Sequence, residues 1–248
     1  MGSRCAVKKI RGRLSEIFGS TLAAISGKDI NEARELIGNA KKASEIGIPY
    51  AESIALAIGL SKESVVPGPL KKLERIFEKA IGKHAGQLEE VPDVGRLRIL
   101  IEKPEDVIAL RRMFVERQGT LKIVHPNNKI TVTEFQDNFW EPSSTGRVAI
   151  HIGLDIRLSG SKSVPYEIQV IHKDMVDTEK FTHNNYQRAC DIERKAKGEN
   201  RPLTADEADA IESYRKSNRE RYLADSLNYN LFSLRQPKLR HTALALVA

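Results

Sequence analysis

The chain has 248 residues and a formal net charge of +7, with an isoelectric point near 9.3. This length allows one main domain with an appendage, and the positive charge favours polyanionic ligands such as nucleotides or nucleic acid. Cys5 and Cys190 match no metal-binding or redox spacing, and no apolar run is long enough to cross a membrane, so we expect a cytoplasmic protein without a membrane partner.

The first 64 residues carry the spacing of helices. Residues 1–13 are basic and aperiodic. Apolar residues three and four positions apart then predict three helices, from Leu14 to Gly27, from Asp29 to about Gly47, and onward from Ile48 and Pro49. No chemistry is apparent here, so we interpret residues 1–65 as an N-terminal helical segment that ends at the breaker of residues 67–69.

An amphipathic helix is predicted from Leu70 to Ile81. Its basic residues lie largely off the apolar stripe: Lys71, Lys72, Arg75 and Lys79. Such a row is either a solvated helix face or a surface directed at phosphates, and the spacing alone favours the solvated face.

Strict alternation of apolar and polar residues predicts three strands. One runs from Arg96 to Glu102, directly after Asp93. The other two, residues 147–158 and 166–170, are joined by a Gly/Ser linker and predict an antiparallel hairpin. If residues of like parity pair across this hairpin, polar residues share one face: Arg147, His151, Asp155, Glu167 and Gln169.

The remaining elements are mostly helical. We predict a helix starting at Pro104, one or two short strands between Lys122 and Val132, and a polar loop over residues 137–146. A long helix is predicted from Asp174 to Lys197, and a last helix from Thr204 or Asp206 toward Phe232. A tail follows Arg235.

Two acids, Asp93 and Glu167, lie at strands with polar residues on one face. Carboxylates from neighbouring strands can share a magnesium ion, and a glutamate beside the ion can accept a proton from an attacking hydroxyl. The alternative is that both acids pair with Arg98, Arg147 or Arg157 on an exposed face of the sheet.

The order of these features resembles the synthetase domain of RelA/SpoT homologues, over about residues 66–195. That family has a basic helix, then D-x-x-G-x-R, D-Y-x-x-x-P-K-x-x-G-Y-x-S-x-H, E-I-Q and H-x-x-Y. The residues of this chain that fit are Lys71 and Lys79; Asp93 and Arg98; Asp137, Pro142, Gly146 and His151; Glu167 and Gln169; His183 and Tyr186.

The resemblance implies a fold and an activity. The implied fold is α/β, a small mixed sheet flanked by helices and similar to nucleotidyltransferases, with the synthetase domain at residues 66–200 and a C-terminal helix and tail at 201–248. The implied activity is a pyrophosphokinase that transfers the β,γ-diphosphate of ATP to a 3′-hydroxyl. The acceptor is GDP or GTP, an adenine nucleotide, or the 3′ end of tRNA.

The resemblance also implies roles for single residues. Asp93 and Glu167 hold Mg²⁺, and Glu167 activates the hydroxyl. ATP and its phosphates are bound by Lys71, Lys72, Arg75, Lys79 and Arg98. The acceptor is bound by Arg147, His151, Gln169 and His183. Some relatives are toxins, so an antitoxin or immunity protein is a further expected partner, and delivery into a target cell is an alternative to action in the cell that makes the protein.

This sequence departs from the family pattern at several positions. Arg147 replaces a tyrosine that stacks on guanine, Ser143 replaces a lysine, and Arg96 replaces the glycine of D-x-x-G. Pro69 and Arg75 replace an arginine and a serine. These departures support a second hypothesis, a catalytically inactive module that binds nucleotide, RNA or a protein.

Overall fold

The computed structural model describes residues 27–84, 86–91, 93–115, 129–158 and 163–235. The helices are α1 (Gly27–Ala57), α2 (Leu73–Lys83), α3 (Pro104–Val115), α4 (Val176–Gly198) and α5 (Ala205–Asn228). The strands are β1 (Val65–Pro67), β2 (Gly95–Ile101), β3 (Ile130–Asp137), β4 (Ile150–Arg157) and β5 (Ser163–His172). The predictions for residues 14–26, 122–128 and the tail beyond 235 lie outside the described residues.

The five strands form one mixed sheet in the order β1-β2-β5-β4-β3. β2 and β5 are parallel, and the other neighbouring pairs are antiparallel. The structure therefore confirms the predicted small mixed sheet flanked by helices and the predicted hairpin, which is formed by β4 and β5. His151 pairs with Gln169 and Gly153 with Glu167, so residues of like parity do share a face.

One face of the sheet is apolar and carries the main core. Alternate residues of β2 and β4 are buried, as the period of two predicts. α1 packs across β2, β5 and β4, and its residues Tyr50, Ala51 and Ile54 join the sheet in the core. The N-terminal segment therefore shares its core with the sheet over its described residues.

The predicted break between two helices at Gly47 and Pro49 is wrong. α1 continues through both residues for 31 residues in all. Proline in a helix interior removes a hydrogen bond and costs about 3 kcal/mol, but burial of Tyr50, Ala51 and Ile54 directly after it favours continuation. Packing here overrides a local signal.

The predicted start of the basic helix is also wrong, because α2 begins at Leu73 rather than Leu70. The backbone before it continues alongside β2: Gly68 N donates to Arg96 O at 2.9 Å, and Lys71 N donates to Val94 O at 3.0 Å. These bonds hold Lys71 in an extended segment that lies next to the start of β2.

Two other helix ends differ slightly from prediction. α4 begins at Val176, after a short 3-10 turn (Lys173–Met175). α5 begins after Thr204, as predicted, and Thr204 and Glu207 form a capping box. It ends at Asn228 and is followed by a 3-10 turn (Leu231–Arg235). None of the helices in the described part of the chain is both long enough and apolar enough to span a membrane.

Gly95 allows close packing at the first residue of β2. A Cβ atom there would lie 2.5 Å from Tyr166 Cε2 and 3.3 Å from Ala40 Cβ. Tyr166 is buried and its hydroxyl donates to Ser44 Oγ of α1 at 3.0 Å, so the ring is fixed on both sides. A side chain at position 95 would therefore push the sheet and α1 apart.

We predict that Gly95→Ala lowers the free energy of unfolding by about 1–3 kcal/mol, the usual cost of overpacking a core. Gly38→Ala is the matched control, because a Cβ there meets nothing within 4 Å. Since Gly38 is exposed within α1, alanine should raise stability by up to about 1 kcal/mol. Urea unfolding of both variants measures the difference, and equal effects would contradict this account of Gly95.

Candidate active site

The face of the sheet opposite the main core is polar and half-buried. Cα pairing places Arg96 beside Glu167 and Arg98 beside Gln169 across the parallel pair β2–β5. His151 of β4 pairs with Gln169 from the other side. The structure thus brings together predicted site residues that lie up to 71 positions apart in sequence (98 to 169).

Asp93, just before β2, is held by two lysines. Lys71 Nζ lies 2.8 Å from its Oδ2, and Lys79 Nζ lies 2.7 Å from its Oδ1. Burial acts to raise the pKa of Asp93, but the charges of Lys79 and Lys71 outweigh it and hold the pKa well below its ordinary value. Burial lowers the pKa of Lys71 to about 8, although Asp93 acts in the opposite direction. The three side chains form a compact, ionised cluster.

Glu167 is bonded to two neighbours on the sheet. His151 Nδ1 lies 2.5 Å from Glu167 Oε1, and Gln169 Nε2 donates to the same oxygen at 2.8 Å. Burial acts to raise the pKa of Glu167, but the hydrogen bonds from His151 and Gln169 outweigh it, so its pKa lies below the ordinary value. Glu167 is therefore an ionised carboxylate with a fixed orientation.

Arg147 lies before β4 and uses each of its guanidinium nitrogens. Nε and Nη2 donate to Glu179, Nη1 lies 2.8 Å from His151 Nε2, and Nη2 also reaches Gln169 Oε1 at 3.3 Å. A guanidinium only donates, so Nε2 of His151 accepts and Nδ1 carries the proton. His151 Nδ1 therefore donates to Glu167 Oε1.

Glu179 of α4 is a site residue that the sequence did not reveal. It is 9% exposed and accepts from Arg147, from Arg98 Nη2 at 3.2 Å and from the Tyr222 hydroxyl of α5 at 3.3 Å. Burial acts to raise its pKa, but Arg147 and Arg98 outweigh it and lower the pKa. Its one signal in the sequence is its position four residues before His183, on the same face of the predicted helix.

The two predicted metal acids interact electrostatically. The charge of Asp93 acts to raise the pKa of Glu167, which is the effect of one carboxylate on another nearby. Neither acid pairs with an arginine among the described residues: Asp93 binds lysines, and Glu167 binds His151 and Gln169. The alternative in which both acids pair with arginine on an exposed face is therefore wrong.

The other residues predicted to bind ATP or the acceptor lie at different places relative to the polar face of the sheet. Arg75 forms an ion pair with Glu78 on α2, and Lys72 is exposed just before that helix. His183 lies on α4, and burial together with the charges of Arg96 and Arg75 lowers its pKa. We call the side of the sheet that carries Arg96, Arg98 and Arg147 the cationic face. His183 therefore lies close to the cationic face, whereas Lys72 stands apart from the cluster around Asp93.

Asp137, which matches the third motif of the family pattern, forms contacts that stabilise a turn. Its Oδ1 accepts from the backbone N–H groups of Phe139 and Trp140, at 3.0 and 3.2 Å, and its Oδ2 lies 2.5 Å from Arg111 Nε. The Arg111 guanidinium lies over the Trp140 ring, 5.5 Å from its centroid. Asp137 thus shapes the turn that leads toward Arg147.

A protein-family model matches part of the chain. Residues 68–189 match the family described as a region found in RelA / SpoT proteins. The matched range begins beside β1 and ends within α4, so it contains Asp93, Glu167 and Glu179. No curated protein matches the chain by sequence.

Solved structures show a similar fold. Small alarmone synthetase 1 from Bacillus subtilis is 18% identical, with a TM-score of 0.55, over 85% of this chain and 99% of that chain. The same synthetase bound to its product pppGpp gives 18% identity and a TM-score of 0.49, over 80% and 98% of the two chains. The type VI effector Tas1, in complex with its immunity protein, gives 15% and 0.43, over 78% and 97%.

We predict that Glu179→Ala lowers the free energy of unfolding by about 3 kcal/mol, because it leaves two half-buried arginines without their carboxylate. Glu212→Ala is the matched control: this helical glutamate also binds an arginine, Arg219, but both side chains are exposed. The control should leave stability nearly unchanged. Chemical unfolding tests this, and a loss as small as that of the control would show that Glu179 does not anchor the arginines.

Proposed function

We propose that the protein is a divergent RelA/SpoT-type pyrophosphokinase, because residues 68–189 match the model of a region found in RelA / SpoT proteins. It transfers the β,γ-diphosphate of ATP to the 3′-hydroxyl of a nucleotide acceptor. The observation that carries the proposal is the ionised Glu167 carboxylate, which His151 and Gln169 hold on the polar face of the sheet. This is the arrangement that a general base next to bound phosphates requires.

The proposed reaction is an in-line displacement at the β-phosphorus of ATP. Glu167 accepts the proton of the 3′-hydroxyl while that oxygen forms a bond to the β-phosphorus. The bond from the β-phosphorus to the oxygen that bridges to the α-phosphorus breaks, and AMP leaves with that oxygen. In this proposal Lys71, Lys79 and Arg98, which pair with Asp93 and Glu179 on the same face, bind phosphate oxygens and neutralise their charge.

The two acids fit a magnesium ion by the chemistry of their donors. Magnesium is usually held by one or two carboxylates, with waters and substrate phosphates as the other ligands. Asp93 and Glu167 supply two carboxylates, although the described residues contain no group of three or more histidine, cysteine or acidic side chains that could hold a metal. When bound, the ion would neutralise charge on the phosphates.

The lysine pair on Asp93 implies an exchange of partners when ATP binds. Both carboxylate oxygens of Asp93 contact an ammonium group, one of Lys71 and one of Lys79. Phosphate oxygens attract the same ammonium groups, so Lys71 and Lys79 can move to the phosphates and leave Asp93 to the metal. In this proposal Lys71 and Lys79 therefore bind phosphate, whereas Lys72 lies on the solvated face.

The proposed acceptor site is formed around Arg147. Arg147 stands where the resemblance has a stacking tyrosine, and its edge is occupied by Glu179, His151 and Gln169. In this proposal the acceptor base stacks on the planar face of the Arg147 guanidinium. We propose a guanine nucleotide, an adenine nucleotide or a tRNA 3′ end as acceptor. An immunity protein or antitoxin remains a predicted partner.

A second function, nucleotide binding without turnover, is favoured by one observation. In the described structure Asp93 is neutralised by two lysines, as it would be in a domain that no longer binds a metal. Incubation of the purified chain with labelled ATP, magnesium and each acceptor class separates the two functions. A folded protein that binds ATP and labels none of the acceptors supports the binding module.

We predict that Glu167→Gln reduces diphosphate transfer by a factor of about 10² to 10⁴, the usual contribution of a general base. Binding of a non-hydrolysable ATP analogue should change little, because glutamine keeps the size of the side chain. Glu134→Gln, at an exposed position of β3, is the control and should retain full activity. Transfer by Glu167→Gln at the wild-type rate would remove Glu167 from the mechanism.

We also predict that affinity for the ATP analogue falls as pH rises from about 7.5 to about 9.5. The pKa of Lys71 is lowered to about 8, so the lysine loses its charge in this range, and a neutral amine binds phosphate weakly. Lys71→Arg should bind equally well across the range, because arginine stays protonated. Calorimetric titrations measure both. Parallel losses in the wild type and in Lys71→Arg would assign the pH dependence to another group.

A further inference from the structure

Arg96 lies at the centre of the cationic face and has no role in the function proposed above. It is half-buried in β2 and is the Cα partner of Glu167 across the parallel pair. Its charge acts to lower the pKa values of Lys71, Arg98 and His183, so its guanidinium lies near all three. It thus connects the cluster around Asp93 with the cluster around Glu179.

Arg96 differs from the other arginines of this face in its lack of a carboxylate partner. Arg75 is paired with Glu78, and both Arg98 and Arg147 are paired with Glu179. Among the described residues, Arg96 forms no ion pair and no side-chain hydrogen bond. A half-buried guanidinium surrounded by other cations is unfavourable by itself, and an anionic ligand is what would stabilise it.

The stem of Arg96 is fixed by the backbone of Gly68. A Cβ atom at position 68 would lie 2.8 Å from Arg96 Cγ and 2.9 Å from Arg96 O, so only glycine allows this approach. Gly68 N also donates to Arg96 O at 2.9 Å. The close approach of Gly68 restricts the start of the side chain before any ligand binds, which lowers the entropy cost of binding.

We propose that Arg96 binds the diphosphate that is transferred from ATP. The proposal rests on the proposed function, in which the attacked phosphorus lies next to Glu167. Arg96 is the residue directly alongside Glu167 on β2, so its fork of N–H groups is placed to bind phosphate oxygens in a bidentate manner. We therefore expect Arg96 to favour ligands with two or three linked phosphates over a monophosphate.

Isothermal titration calorimetry with magnesium present tests the proposal, with inorganic pyrophosphate, an α,β-methylene ATP analogue and AMP as ligands. Arg96→Gln should weaken binding of pyrophosphate and of the analogue by about tenfold or more, since a hydrogen bond to a charged group is lost. AMP binding should not change. Arg157→Gln is the matched control, because Arg157 is exposed at the far end of β4 on the same face of the sheet.

Arg96→Lys provides a second variant if Arg96→Gln does not fold. It keeps the charge but loses the fork, so we expect binding of pyrophosphate several-fold weaker than in the wild type. Unchanged affinity in a folded Arg96 variant overturns the proposal, as does a wild type that does not bind pyrophosphate. A wild type that binds pyrophosphate through Arg96 but transfers no diphosphate refutes the enzymatic function and leaves the site for Arg96 intact.

Discussion

The orientation of the Glu167 carboxylate is the constraint on which the candidate active site depends. Glu167 is fixed by His151 and Gln169, and both of these are fixed by Arg147. Arg147 is in turn anchored by Glu179 on α4. One chain of hydrogen bonds therefore connects the sheet, the segment before β4 and a packed helix, so that the proposed base is held by elements from distant parts of the sequence.

The charges on the polar face of the sheet are balanced in two separate groups. Lysines surround Asp93, and arginines surround Glu179. The lysines form a group that can exchange partners, because a compact ammonium moves easily between a carboxylate and a phosphate. The arginines form a rigid group, because planar forks bind carboxylates in fixed geometry. This difference fits the proposed chemistry. The lysines around Asp93 would bind the phosphates, and the arginines around Glu179 would position the general base.

Strands β2, β4 and β5 and the polar face could be predicted from the sequence, because alternation in these strands shows which residues share a face. β1 was not predicted, and β3 ends at Asp137 rather than near Val132. The interruption of α1 at Gly47 and Pro49 was predicted wrongly, since the local signals contain no information about the sheet that the helix packs on. Glu179 was missed for the same reason: its partners, Arg98 and Arg147, become its neighbours only through tertiary packing. Asp93 and Glu167 were found by pattern, but their lysine, histidine and amide partners needed the fold.

The sheet order has a consequence for the biosynthesis of the protein. β5 is the last strand in the described part of the chain but lies in the middle of the sheet, between β2 and β4. A nascent chain that ends before Ser163 lacks Glu167, Gln169 and Glu179, and its strand β2 has no parallel neighbour. Contacts between such distant segments form slowly in folding. Any activity must therefore appear late, after the ribosome has released enough chain for the central strand to insert.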